Sequence, residues 1–292
     1  MSHNSQSLVL KNSVALITGA ASGIGAGLAQ ELAQRGVHLA LCDLRVEGLE
    51  AVAQKARDQG VRVSVHVADV ADRAAIEQLP HAVAAAHGAL HILVNNAGVA
   101  LMGTFEQTSV DDFEWLLGIN LFGTVRLTKA CLPLLRAQPR ARIVNLSSVF
   151  GLIAPPGQSA YCASKFAVRG FSESLRHELA GSGVGVTVVH PGGVRTRIAQ
   201  HARVSTQVDP GVARASCERF EVLARTSAES AARQIVTAIE RGRDRLLIGN
   251  DARLLNTIQR IFPVSYWRIA ARLFGAPRPA ALPVAADGAK GT

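Results

Sequence analysis

The 292-residue sequence predicts a doubly wound α/β fold, one parallel sheet with helices on both faces. Three observations carry that expectation. Apolar, β-branched runs alternate with longer segments of helical periodicity. Most of the runs are nearly continuous in Val, Ile and Leu, as strands buried on both faces must be. A glycine-rich turn joins the first run to the first helical segment. A hydrophobic fraction of 48% is ample for a core, and no Gly/Ser-rich or Pro-rich linker divides residues 10–250, so they read as one domain.

Taken in order, "SVALIT" (13–18) opens the sheet and "TGAASGIG" (18–25) turns it into an amphipathic helix over 24–35. "VHLALC" (37–42) and "VRVSVHV" (61–67) are the next strands, each followed by apolar residues at i, i+3 and i+4, over 46–59 and 71–87. "HILVNN" (91–96) precedes what reads as a single long helix over 109–136. "ARIVNLS" (141–147), a helix over 160–180, "VGVTVVH" (184–190) and "RLLIG" (245–249) complete the alternation. Residues 192–226 fit no element and read as a lid, with arginines at 195, 197, 203, 214, 219 and 225 against Asp209, Glu218 and Glu221. Residues 1–9 read as a flexible start, 251–274 as an amphipathic helical extension interrupted at Pro263, and 275–292 as a disordered tail.

The formal charge of +9 raises the question of nucleic acid, but the arginines are scattered and aromatics make up only 4%, so stacking platforms are scarce. Nucleic-acid binding is therefore not expected. The start "MSHNSQSLVLKNS" lacks a secretory pattern, and no apolar stretch approaches the length of a membrane span. Cys42, Cys131, Cys162 and Cys217 lie far apart and read as buried thiols of a cytoplasmic protein. His87 and His91 straddle Gly88 at the mouth of a strand and read as a loop pair, not as metal ligands.

Chemistry enters at the C-terminal ends of the strands, where open parallel sheets bind ligands. Gly19, Gly23 and Gly25 would let backbone approach a pyrophosphate at a helix N-terminus. Asp43 closes the second strand, where a carboxylate accepts from both hydroxyls of an adenosine ribose. Asp69 ends the third strand, beside the expected adenine, and "NNAG" (95–98) ends the fourth. Further along, Tyr161 and Lys165 share a helix face at i and i+4, with Ser148 at the end of the fifth strand. A phenol of pKa about 10 needs nearby positive charge to act as an acid–base group, and Lys165 offers it.

With "TGAASGIG", "NNAG", Asn120 in "LLGINLFG", Ser148, "YCASK" and "PGGVRT" (191–196) in order, residues 10–250 resemble the short-chain dehydrogenase/reductase family in its single-domain form. The resemblance implies a Rossmann-type sheet and NAD(P)-dependent interconversion of an alcohol and a ketone or aldehyde. It implies that Tyr161 moves the proton, Ser148 holds the carbonyl oxygen, and Lys165 binds the nicotinamide ribose and lowers the Tyr161 pKa. Asn120 would bind the water that links Lys165 to solvent. Cofactor contacts would come from Gly19, Ser22, Gly23, Ile24, Gly25, Asp43, Asp69, Val70, Asn96, Ala97 and Gly98. Pro191, Gly192, Val194 and Thr196 would meet the nicotinamide end, with Asn96 serving mainly the sheet. Asp43 favours NAD over NADP, because a 2′-phosphate beside a carboxylate is repelled.

A 3-oxoacyl-(acyl-carrier-protein) reductase is an alternative, although Ala20, Ala21 and Ser22 stand where such enzymes show a basic residue. A dinucleotide-sensing or interaction protein on the same scaffold is another, but such proteins usually lack the tyrosine or the lysine. The mainly apolar stretches "VALMGTF" (99–105) and "VFGLIAPPG" (149–157) suit a hydrophobic substrate. The family resemblance implies a homo-oligomer, dimer or tetramer. The stripes Leu254, Leu255, Ile258, Ile261, Phe262 and Tyr266, Trp267, Ile269, Ala270, Leu273, Phe274 would pack on the domain or a sister subunit. Flanked by Arg253, Arg260, Arg268 and Arg272, they could instead rest peripherally on an anionic membrane.

Overall fold

The computed structural model describes residues 7–273. From the N-terminal side, β1 (Val14–Thr18) leads into α1 (Gly23–Gln34), β2 (His38–Asp43) into α2 (Val46–Arg57), and β3 (Val63–Val67) into α3 (Arg73–His87). Then come β4 (Ile92–Asn95), a short β5 (Leu101–Met102), α4 (Val110–Leu117) and α5 (Thr124–Arg136). They are followed by β6 (Ala141–Leu146), α6 (Ser159–Glu178), β7 (Val184–Pro191), β8 (Val194–Arg195) and β9 (Arg203–Val204). The described chain ends with α7 (Pro210–Leu223), β10 (Thr226–Ser227), α8 (Ala228–Glu240), β11 (Arg245–Ile248), α9 (Asn250–Ile261) and α10 (Tyr266–Leu273).

Seven strands form one sheet in the order β3-β2-β1-β4-β6-β7-β11, every neighbouring pair parallel. The chain winds outward from β1 to β3, then crosses back to β4. That reversal opens a crevice above the C-terminal ends of β1 and β4. Side chains alternate across the pleat, so each strand feeds two cores. Ile17, Leu39, Val94 and Val189 pack with Leu28 and Leu32 of α1 and with Ile235 and Ile239 of α8. Leu16, Ala40, Leu93 and Val186 pack on the other face with Ile76 of α3, Leu127 of α5 and Leu175 of α6.

Four expectations need correction. The helix expected over 109–136 is two helices joined by a π turn, Gly118–Gly123. Its second glycine lets the chain close on the β3–α3 loop, since a Cβ on Gly123 would lie 3.0 Å from the Val70 carbonyl oxygen. The stretch 192–226 contains the helix α7, capped by Asp209 through the N–H groups of Gly211 and Val212, with Pro210 in its first turn. Order begins inside the segment read as a flexible start: Leu8 is buried and its N–H donates to the Glu240 carbonyl. Cys42, Cys131 and Cys162 are buried as expected, but Cys217 is only half-buried because α7 buries none of its residues. Residues 1–6 and 274–292 lie outside the described residues, and with them Phe274 and the expected tail.

Candidate active site

The glycine turn is shaped by positions that need glycine. Gly19 and Gly23 have φ of +65° and +55°, and a methyl on Gly25 would collide with the Gly19 carbonyl. Asn96 staples this turn to the tip of β4: its amide donates to the Thr18 oxygen at 2.9 Å and to the Gly19 oxygen at 3.1 Å. Thr18 Oγ1 accepts in return from the N–H groups of Asn96 and Ala97. Ser22 occupies the N-cap of α1 without a side-chain capping bond, and no acid stands in the first turn. Those N–H groups and the positive end of the helix are suited to a phosphate. Ile24 points the other way, into the core beside α1.

Asp43 is tied to the same turn. One carboxylate oxygen accepts from the Ala21 N–H at 2.9 Å and the other from the Arg45 N–H at 3.1 Å. The Arg45 guanidinium lies 3.6 Å from that second oxygen and donates to Ser22 Oγ at 2.7 Å. Asp69, half-buried, accepts from the Ala71 N–H at 2.8 Å, and Val70 is buried next to it.

Ser148, Tyr161 and Lys165 meet at the end of β6. Ser148 Oγ accepts from the Phe150 N–H at 3.1 Å and stands near the Tyr161 hydroxyl, whose ionised form it favours. The Lys165 ammonium donates to the Leu146 carbonyl at 3.0 Å and lies 5.6 Å from the centre of the Tyr161 ring. Gly98 makes room for it, since a Cβ there would stand 3.4 Å from Lys165 Nζ. Burial pushes the Tyr161 phenol up to about 12, against the opposing influence of Ser148, and pushes Lys165 down to about 8. Asn120 is buried in the π turn, where its side chain bonds the Val99 N–H, the Val99 carbonyl and Ser164 Oγ. It fixes the segment after "NNAG" and stands beside Gly98.

The loop 191–196 runs from Pro191, at the tip of β7, towards the glycine turn. Gly192 donates to the Ile248 carbonyl, Val194 is buried in β8, and Thr196 reaches within 3.2 Å of where a Gly23 Cβ would be. Sequence reasoning missed Asp251, whose carboxylate accepts from the Gly193 N–H at 2.6 Å. A lone acid after the last strand carries no pattern. His190 was missed as well: its Nδ1 bonds the Ser148 carbonyl at 3.1 Å, and its buried Nε2 has no partner.

Two further contacts close the site. β9 pairs with β5, and Arg203 bonds Asp112 at 2.7 Å while stacking 3.6 Å above the Trp115 ring. Residues 203 and 204 are thereby clipped to the segment after "NNAG". The C-terminal pair packs on the segment after Ser148: Ala252, Leu255 and Ala270 cluster with Val149 and Ile153, and Tyr266 Oη accepts from the Ala154 N–H at 2.9 Å. The first stripe splits, for Leu255 and Ile258 are buried while Leu254, Ile261 and Phe262 stay exposed. His87 bonds Ser64 and His91 accepts from the Val14 N–H, so His87 ends α3 and His91 abuts β4. Among the described residues, no three His, Cys, Asp or Glu side chains cluster as metal ligands. No described helix is long and apolar enough to cross a membrane.

The family model described as short chain dehydrogenase matches residues 13–207. The chain belongs to the short-chain dehydrogenase family. It thereby joins the oxidoreductases, as its relatives do. A Mycobacterium tuberculosis protein named "Putative oxidoreductase SadH" is 42% identical over 260 residues, which span 88% of this chain and 94% of that protein. D-threitol dehydrogenase of Mycolicibacterium smegmatis is 41% identical over 194 residues, 66% of this chain and 74% of that protein. Among solved structures, a short-chain dehydrogenase/reductase from Burkholderia phymatum in complex with NAD is 30% identical with a TM-score of 0.78. That match covers 94% of this chain and 100% of the other.

Proposed function

We propose that this short-chain dehydrogenase interconverts a secondary alcohol and a ketone or aldehyde with a nicotinamide dinucleotide. The observation that carries the reading is the grouping of Ser148 and Tyr161 with the Lys165 ammonium 5.6 Å from the Tyr161 ring and Gly98 beside Lys165. The residues fit such a cofactor: a turn cradle that a Cβ at Gly25 would fill, uncapped N–H groups on α1, and Asp43 at the ribose end. Bound there, the dinucleotide supplies the hydride acceptor or donor. Ser148 holds the substrate oxygen, and Tyr161 gives it a proton in reduction or takes one in oxidation. Lys165 holds positive charge beside the phenol, which favours the phenolate when it forms.

Val149 and Ile153 are buried beside Ser148, and Phe150 meets the Tyr161 ring edge-on at 6.2 Å. That wall supports a hydrophobic substrate. The D-threitol dehydrogenase relative makes a polyol the second class to try. A panel of both substrate classes assayed with NAD(H) and NADP(H) tests the reading, and no turnover with any pair sinks it.

Cofactor choice follows from Asp43. A unit charge opposite another at 4 Å costs about 4 kcal/mol at an effective dielectric of 20. If Arg45 and solvent absorb half, about 2 kcal/mol remains, roughly a 30-fold preference for NAD. Asp43→Ala is expected to narrow that gap in kcat/KM. Equal efficiency of the wild type on both cofactors contradicts the assignment.

The outer side of the C-terminal pair exposes Ile261, Phe262, Val264 and Leu273 among Arg260, Arg268 and Arg272. This supports peripheral contact with an anionic membrane surface. Phe262→Glu is expected to abolish sedimentation with anionic vesicles at low salt. The idea fails if the wild type stays in the supernatant.

A further inference from the structure

On the outer side of the 192–196 loop lies an open cavity of about 440 Å³. Arg195, Arg225 and Arg253 line it with Thr226, Ser227 and Asn250, and no carboxylate is among its lining residues. The arginines come from distant parts of the sequence. Parallel pairing of β8 with β10 sets Arg195 beside Ser227, just past Arg225, and α9 brings Arg253 to the same hollow.

Guanidinium groups gathered at one hollow repel each other unless an anion joins them. Two acids border the hollow, and each has a partner of its own. Asp251 accepts from the Gly193 N–H, and Glu229 is held by its own helix N-terminus and Ser227, with Arg233 and Arg195 as weaker influences. Neither Arg225 nor Arg253 forms an ion pair among the described residues. The remaining lining side chains are hydroxyls and amides, with the Asp251 carboxylate behind Gly249 in the first turn of α9. Planar five-donor forks with hydroxyl donors between them match a tetrahedral oxyanion in both charge and shape.

We propose that this cavity is a phosphate site, taking inorganic phosphate or the phosphate of a monoester, centred on Arg225 and Arg253, while Arg195 also borders the hollow beside the glycine turn. Its walls touch the 191–196 loop, because the Thr226 N–H donates to the Gly193 carbonyl while Asp251 takes the Gly193 N–H.

The test reads binding, not turnover, and so stands apart from the oxidoreductase proposal. The full chain is titrated calorimetrically with inorganic phosphate, against chloride at matched ionic strength. Saturable binding of one phosphate per chain is expected. Arg225→Gln with Arg253→Gln is expected to weaken it at least about tenfold, the scale of losing one charge-assisted pair. Both side chains are exposed, so the fold should survive; Arg195→Gln alone serves as the second variant if it does not. No saturable binding by the wild type overturns the proposal. Unchanged binding in the double variant also overturns it, since the ion then sits elsewhere, as against the glycine turn. Vesicles of phosphatidic acid, whose headgroup is a phosphate monoester, and of phosphatidylcholine separate the sources. Sedimentation with the first alone, lost in the double variant, assigns the phosphate to a lipid headgroup; phosphate binding without sedimentation assigns it to a soluble ester.

Discussion

Tyr161→Phe is expected to lower turnover by about 10²–10⁴-fold, the usual size of a general acid–base contribution, with nucleotide affinity nearly unchanged. The substitution keeps the ring that packs beside Leu101, Leu116 and Phe150 and removes only the transferable proton. Direction of catalysis sharpens the test. Burial holds the Tyr161 proton until about pH 12, so at neutral pH the group stands ready to donate. Alcohol oxidation by the wild type should therefore climb as pH rises, and the Phe variant should lose that limb. A variant turning over within about threefold of wild type would remove Tyr161 from the proton path.

Acid should unfold this protein early, and His190 is the main reason. Its side chain is fully buried, and burial lowers its pKa to about 4, with the charges of Arg245 and Arg169 adding to the effect and Glu173 and the Ser148 hydrogen bond opposing it. In the unfolded chain it titrates near 6.5. Between those values the unfolded state binds more protons, so stability is complete above about pH 6.5 and is lost as pH falls towards 4. The gap amounts to about 3 kcal/mol at the lower limit. His190→Asn keeps a donor towards the Ser148 carbonyl and cannot titrate. Its urea-melt stability should change less between pH 7.5 and pH 4 than that of the wild type. Parallel losses in the two proteins would assign the acid lability to other groups. Burial also lowers His66, His87 and His91, which adds to the same slope in both.

The sheet was legible because a parallel strand with cores on both sides has little room for polar residues, and "VALIT", "HLALC" and "ILVN" show this directly. The glycine turn and the Tyr161–Lys165 spacing were legible because their chemistry is local. What escaped depends on tertiary partners. The break at Gly118–Gly123 is masked by apolar spacing that continues through "GINLFG". Helix α7 has no buried face to impose a period, although Asp209 and Pro210 announced its start. The stripes of the C-terminal pair were visible, but their partner, the segment from Val149 to Ile153, lies a hundred residues earlier. Asp251 acts at one backbone N–H, a role that leaves no trace in a pattern.

Asp251 and Tyr266 also bear on the order in which the ribosome delivers the protein. A chain is synthesised from its N-terminus, and its domains fold as they emerge. Here every strand of the sheet has been made before the ribosome reaches the acid that clamps Gly193 or the tyrosine that anchors Ala154. The nascent chain can therefore hold a finished sheet with its substrate wall still open. The last described helices, α9 and α10, then cover it.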